Sequence, residues 1–119
     1  MDLRIKRVYA EPGLDDGMRI LVDRLWPRGL TKEKAKVDLW LKDVAPSNEL
    51  RKWFGHEPKK WPEFRRRYQE ELKNLDSSFA VLRQEVKQKT VTLLYGAKDQ
   101  EHNEAVVLLE LLQRMSDIS

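Results

Sequence analysis

The fold is decided by the stretch Val91-Thr92-Leu93-Leu94-Tyr95, a run of apolar and β-branched residues that ends at Gly96. Such a run, bounded by turn residues, is typical of a strand that is buried on both faces of a sheet. Ile20-Leu21-Val22 forms a second run of this kind near the other end of the chain. The two runs therefore predict two inner strands of one sheet.

The remaining segments predict edge strands and covering helices. Leu3, Ile5 and Val8 indicate a first strand, and residues 37–42 indicate a short strand or extended edge. The loop from Ala10 to Gly17 is too short to contain a crossover helix, so the first two strands should be antiparallel neighbours or be separated in the sheet. Helices are predicted after Thr31, Ser47 and Pro62, from Asp76 or Ser77, and from Asp99. The pattern predicts an α/β fold with a small, mostly parallel central sheet flanked by helices.

Composition narrows the class of protein. The 119 residues contain no linker-like segment, so residues 1–119 are expected to form a single domain. The chain has no cysteine, which excludes disulfides, thiol nucleophiles and zinc-thiolate sites. It begins without a signal-type apolar segment, and no window is apolar enough to span a membrane. We expect a cytoplasmic protein that does not associate with membranes.

The first motif follows the strand at residues 20–22 and reads Asp23-Arg24-Leu25-Trp26-Pro27-Arg28-Gly29. Pro27 restricts the backbone and Gly29 permits a turn, so the two arginines leave the strand from a stiffened segment. Guanidinium groups suit phosphate or carboxylate because they can donate two parallel hydrogen bonds. The alternative is structural: Arg24 would pair with Asp23 or with a helix C-terminus, and Trp26 would pack in the core.

The second motif follows the strand at residues 91–95. The chain turns at Gly96 and is expected to begin a helix near Asp99, where the free N–H groups of residues 100–102 would favour an anion beside Lys98. His102 and Asn103 would lie on the first helical turn. His102 is the best candidate for a general acid or base because its ordinary pKa is closest to neutrality. The alternative is that His102 is a surface or capping residue.

Both motifs follow inner strands, and ligand sites of open α/β sheets lie beyond the carboxyl ends of the strands. The sequence thus predicts an enzyme-like crevice that binds an anionic small molecule. The expected ligand-binding residues are Arg24, Trp26, Arg28, Tyr95, Lys98 and Asn103, and the expected catalytic residue is His102. No cofactor is indicated, and no metal is expected because the two histidines are far apart in the chain.

Several stretches, in this order, resemble the YeaO-like group of small prokaryotic proteins, a domain of unknown function. The matching stretches are 21–29, 40–47, 50–54, 64–72, 91–95 and 102–108. The resemblance implies a compact α/β domain and implies no established activity, substrate or cofactor. The wider superfamily often has cysteines and a Cys-His-Arg element in the region equivalent to residues 95–105. This chain has no cysteine there, so a thiol role does not carry over.

Two other classes of function compete with the small-molecule site. A sequence pI near 9.2 raises the possibility of nucleic-acid binding. In that case Trp26 or Trp53 would stack on bases, and the phosphates would be contacted by Arg24, Arg28, Lys32, Arg51, Arg65 and Arg67. Glutamates at i+4 from Arg66 and Arg67 partly neutralise the basic run and argue against it. The third class is a protein-interaction module with exposed tryptophans as anchors.

Overall fold

A computed structural model describes residues 2–75 and 77–118, and its centre is a four-stranded sheet in which every pairing is parallel. The strands are β1 (Leu3–Arg7), β2 (Met18–Leu21), β3 (Leu39–Trp40) and β4 (Val91–Tyr95). Their order across the sheet is β1-β4-β2-β3, so the two strands with apolar runs are the inner ones. All five residues of β4 are buried, as are the last three of β2. The predicted α/β class and the predicted inner strands are confirmed.

The connection from β1 to β2 is a crossover without a helix. Both strands pair with β4 in parallel, so the first of the two possible arrangements, antiparallel neighbours, is wrong and the second, separated strands, is confirmed. The linking residues 8–17 return to the start of β2, where Gly17 passes very close to Thr90. Gly17 has a φ of +65°, and a Cβ atom there would lie 2.3 Å from the Thr90 carbonyl oxygen. Only glycine fits this close approach.

In the part of the chain that the structure describes, five α-helices pack around the sheet. They are α1 (Lys32–Ala35), α2 (Asn48–Phe54), α3 (Trp61–Lys73), α4 (Ser77–Gln88) and α5 (Glu104–Ile118). Thr31 and Ser47 cap α1 and α2 as predicted, because each side chain accepts the N–H group three residues later. Asp76, one of the two expected starts of α4, lies outside the described residues. None of the described helices is long and apolar enough to span a lipid bilayer.

The start of α5 differs from the prediction. The helix begins at Glu104 rather than near Asp99, because Asn103 is the residue that caps it: its Oδ1 accepts the N–H of Val106 at 3.1 Å. Asp99 does act as a local cap, but its Oδ1 accepts the N–H groups of Glu101 and His102 within a bend. The predicted helix N-terminus over residues 100–102 is therefore wrong, and two of its N–H groups are already used.

The two faces of the sheet are covered unequally. The main core lies on the face that carries Ile20 and Leu93, and α3 and α5 add Tyr68 and Leu108, both fully buried. The opposite face has a smaller core around Leu21, Leu94 and Ala35, against which Trp26 and Trp40 pack. The long helices thus cover one face, while the short helix α1 and the loop residues around it cover the other.

Candidate functional site

A cavity of about 680 Å³ lies at the carboxyl edge of the sheet, where the chain leaves β1, β2 and β4. Cavities of this size accommodate small-molecule ligands. Five of the seven predicted site residues line it: Arg24, Trp26, Arg28, His102 and Asn103. Residues 24–28 and residues 102–103 thus converge from positions far apart in the sequence, as expected for segments that follow adjacent inner strands.

Arg24 builds the wall of the cavity. Its Nε donates to the Pro46 carbonyl at 3.2 Å and its Nη2 to the Ala45 carbonyl at 3.2 Å. These bonds fix the segment before α2 against the first motif. Two of its guanidinium nitrogens already donate to backbone oxygens. Arg24 therefore adds positive charge to the cavity and holds its wall in place, but it is not free to bind an anion through two parallel hydrogen bonds.

The tryptophans stiffen the same loop. Trp26 donates from Nε1 to the Leu30 carbonyl at 2.7 Å, and its ring meets the edge of Trp40 with centroids 5.5 Å apart. Trp40 in turn donates to the Asp23 carbonyl at 2.7 Å. Arg28 is exposed at the rim of this loop, and its carbonyl accepts the Tyr9 hydroxyl at 2.9 Å. The Arg28 guanidinium has no ion pair with any described carboxylate and remains available.

His102 is oriented by two contacts. Its Nδ1 lies 2.8 Å from Oδ2 of Asp99, and its ring meets the edge of Trp61 with centroids 5.2 Å apart. Hydrogen bonds from Glu101 and His102 lower the pKa of Asp99, so this carboxylate stays ionised and favours the tautomer with a proton on Nδ1. That tautomer leaves Nε2 as an acceptor. Asn103 is buried and uses both amide atoms within the chain, because Nδ2 donates to the Asp99 carbonyl while Oδ1 caps α5.

Tyr95 and Lys98 do not line the cavity. Tyr95 is the last residue of β4 and turns into the main core, where burial raises the pKa of its hydroxyl. Lys98 is exposed beyond the turn at Gly96. The two residues were expected to complete the pocket because they adjoin the second motif, but the pleat of β4 directs Tyr95 inward and the turn carries Lys98 away.

The cavity also gains residues from α2 and the turn after it. Arg51 and Lys52 line it from the exposed side of α2, and His56 follows Gly55 at the end of that helix. His56 has a φ of +58°, a left-handed conformation that histidine adopts more readily than most residues. Both histidines of the chain therefore line one cavity. The spacing of Leu50 and Phe54 predicts the buried face of α2. Whether the opposite side of α2 borders the cavity depends on how the helix packs in the fold, so the sequence did not identify these residues.

Two carboxyl groups lie among these cations. Asp23 lies two residues after the end of β2, and its Oδ2 accepts the N–H of Gly96 at 2.7 Å. A Cβ atom on Gly96 would lie 2.9 Å from that oxygen, so a side chain would disturb the contact. Glu104, the first residue of α5, lies within hydrogen-bonding reach of Asp23. Burial, reinforced by Asp23, raises the pKa of Glu104 well above its ordinary value, so the protonated form of Glu104 is favoured.

The basic run and the tryptophans, which nucleic-acid or protein binding would use, make contacts within the chain. Arg65 pairs with Glu110, while Arg66 and Arg67 both pair with Glu63, so the basic run is neutralised by acids, although not by those expected at i+4. Trp53 is covered by Arg67 and by Lys60, at 4.2 and 5.1 Å from its ring. All four tryptophans are half-buried. Among the described residues, no three histidine, aspartate or glutamate side chains form a group that could hold a metal ion.

Fold and site together define a small parallel α/β domain with a cavity, lined by charged and apolar side chains, at the carboxyl edge of its sheet. The chain belongs to the family described as the inactive DUF488-N3 subclade, whose model matches residues 2–118. It is 42% identical over 115 residues to the uncharacterized protein YeaO of Escherichia coli strain K12, covering 97% of this chain and 100% of the relative. It is 44% identical over 110 residues to the uncharacterized protein Rv3073c of Mycobacterium tuberculosis, covering 92% of each. The predicted YeaO-like membership is confirmed. No solved structure matches the chain.

Proposed function

We propose that this chain is a binding domain for a small molecule that carries a phosphate or a carboxylate, held in the cavity at the carboxyl edge of the sheet. The observation that carries the proposal is the lining of the cavity by four arginine and lysine side chains, namely Arg24, Arg28, Arg51 and Lys52. Cationic side chains gathered around a concave, partly apolar pocket favour an anionic ligand.

The free cations are the expected ligand contacts. Among the described residues, neither Arg28 nor Lys52 has a carboxylate within ion-pair distance, and Arg51 uses one guanidinium nitrogen on Asn48 at 3.1 Å. With Nδ1 bonded to Asp99, His102 would contact the ligand through Nε2. Arg24 would hold the wall in place and add charge.

Binding without turnover fits the family description, which calls the subclade inactive. We therefore assign His102 first to ligand contact, and it remains the expected general acid or base if the ligand is also transformed. Binding of a nucleic-acid backbone is less well supported than binding of a single anion. The arginines of the basic run on α3 are paired with glutamates, and the Trp53 ring is covered by Lys60 and Arg67.

Isothermal titration calorimetry of the full chain with inorganic phosphate and with succinate, at constant ionic strength, tests the proposal and separates the two anions. We expect saturable binding of at least one, lost in Arg28→Ala with Lys52→Ala. The matched control is Arg114→Ala with Lys87→Ala, which removes one exposed arginine and one exposed lysine that do not line the cavity. Equal loss in both double variants, or no saturable binding, would contradict the proposal.

The salt dependence of binding separates this proposal from nucleic-acid binding. A single anion releases few counterions, whereas a nucleic-acid backbone makes log affinity fall by about 0.7–0.9 per log unit of salt for each phosphate contacted. We expect labelled single-stranded oligonucleotides to bind only weakly at physiological salt in fluorescence anisotropy. Sub-micromolar binding with a slope of several phosphates, lost when Arg65, Arg66 and Arg67 are all changed to alanine, would favour the nucleic-acid function instead.

A further inference from the structure

The carboxyl pair Asp23 and Glu104 adds two acidic groups to a cavity lining that otherwise carries cations. Asp23 is held by the Gly96 N–H at the sheet edge, while Arg51 and Lys52 reach the cavity from α2. Oε1 of Glu104 is buried and receives no hydrogen bond from any donor in the described part of the chain. Two ionised carboxylates in contact would repel each other. A proton held between Asp23 and Glu104 explains both their proximity and the lack of another donor for Oε1 of Glu104.

The charged and titratable groups around the pair leave it without a full counter-charge. Arg51 from α2 is the cation that acts on Glu104. Tyr68 from α3 and Tyr95 from β4 also face Glu104, but both are neutral, and the Tyr68 hydroxyl already donates to the Val44 carbonyl at 2.5 Å. Neither Asp23 nor Glu104 forms an ion pair with a described lysine or arginine.

We propose that the ligand carries a primary ammonium group as well as its phosphate or carboxylate, and that Asp23 and Glu104 bind the ammonium. This inference rests on the anion-binding function proposed above. An ammonium group supplies three N–H donors and a positive charge, so it satisfies oxygens of both carboxyl groups and allows both to be ionised side by side in place of the shared proton. A hydroxyl group supplies a single donor and no charge, so the pair would still need its proton.

The opposite charges of the cavity lining also favour one orientation of the ligand. Arg28 and Lys52 attract the anionic group and repel the ammonium, whereas the carboxyl pair does the opposite. A molecule with both charges therefore uses both parts of the lining, and a molecule with only the anion leaves the carboxyl pair unused. The ligand class is a small phosphorylated or carboxylated primary amine.

Calorimetry with matched probes tests the inference on the full chain. O-phosphoethanolamine and propyl phosphate have the same length and differ by an ammonium in place of a methyl group, and 4-aminobutanoate and pentanoate form the corresponding carboxylate pair. We expect the amine of at least one pair to bind about tenfold or more tighter than its partner, as one or two charge-assisted hydrogen bonds would give. The preference should be lost in Glu104→Gln and in Asp23→Asn, and retained in Glu101→Gln, an exposed acid outside the cavity.

Proton release on ligand binding is a second measurement of the ammonium site, and a merely structural role of Glu104 would not produce it. A bound ammonium favours the ionised form of Glu104, so binding of the amine should release more protons than binding of its apolar partner. Titrations in buffers of different ionisation enthalpy measure this number. The extra release should be absent in Glu104→Gln.

The outcomes separate the two proposals. Equal affinity for both members of each pair, with inorganic phosphate or succinate still bound, would overturn the ammonium site and leave the anion site standing. Failure of every anion to bind would overturn the anion site itself. A preference for the amine that persists in Glu104→Gln and Asp23→Asn would place the ammonium elsewhere and also overturn the inference.

Discussion

Acidic and basic side chains meet in two regions of this domain, and the two regions use them in opposite ways. Beneath the crossover of residues 8–17, Asp16 lies between Lys6 and Arg19 and each charge has a partner. At the carboxyl edge of the sheet, Arg28 and Lys52 border a cavity and pair with no described carboxylate. Paired, buried charges fix the fold, whereas unpaired charges beside a cavity are available to a ligand.

The first region, which we call the ionic network, consists of Lys6, Asp16 and Arg19. Asp16 and Arg19 are almost fully buried. Arg19 donates from all three guanidinium nitrogens, to Asp16 at 2.5 Å and to the carbonyls of Ala35 and Lys36 at 2.8 and 3.0 Å. The network thus ties the helix-free crossover and the end of α1 to β2.

The largest effect is expected from breaking the ionic network. Asp16→Ala should lower the free energy of unfolding by roughly 3–5 kcal/mol, because it leaves the buried Arg19 charge without its carboxylate. Glu63→Ala is the control, since it removes the surface partner of Arg66 and Arg67 and should cost much less than Asp16→Ala because water screens these pairs. Urea unfolding of both variants measures the difference. Similar losses in the two would show that the ionic network does not stabilise the fold in the way argued here.

Acid provides a second test of the same network. Burial alone would raise the pKa of Asp16, but hydrogen bonds from the Gly13 N–H, Lys6 and Arg19 outweigh it and lower the pKa from 3.8 to about 2. A carboxyl whose pKa is depressed in the folded state stabilises it above pH 3.8, and that contribution is lost as the pH falls towards 2. The loss should amount to about 2 kcal/mol. In Asp16→Asn this component of the pH dependence should disappear, and an unchanged acid transition would contradict the assignment.

The sequence predicted the sheet better than the points where helices begin. Unbroken apolar runs identify β2 and β4 because an inner strand needs apolar residues on both faces, and no tertiary information is required. The start of α5 was misplaced because Asp99 and Asn103 are both good capping residues, four positions apart. Only the actual hydrogen bonds, with Asp99 serving a bend and Asn103 serving the helix, distinguish them.

The position of the cavity was predicted from the order of strands and loops. The lining residues that the prediction missed come from segments whose position this order does not determine. Arg24, Arg28 and His102 follow inner strands, so their convergence was foreseeable. Arg51 and His56 come from α2 and the turn after it, whose position depends on how α2 packs against α3. The contact of Glu104 with Asp23 depends on where α5 begins, which the sequence left ambiguous.

Glu104 offers a contrast with Asp16 in the sign of its pH dependence. Its pKa is raised in the folded state by burial and by Asp23, so it destabilises the fold as the pH rises above its ordinary value of 4.5. Glu104→Gln, which mimics the protonated acid, should therefore be more stable than the wild-type chain at pH 8 and closer to it at pH 5. Urea unfolding at the two pH values measures this. A variant that is less stable by the same amount at both would show that Glu104 is not held protonated.

The smallest effect on stability is expected from the unpaired cations of the cavity. Without ligand, Arg28→Ala and Lys52→Ala should each change the free energy of unfolding by no more than about 0.5 kcal/mol, because neither exposed side chain forms an ion pair with a carboxylate that the structure describes. With phosphate at about 100 times its dissociation constant, the wild-type chain should gain about 2.7 kcal/mol by mass action, and the double variant should gain much less. Thermal unfolding with and without phosphate measures both quantities. A large loss of stability without ligand would mean that these cations belong to the fold like the ionic network, and the distinction between the two regions would fail.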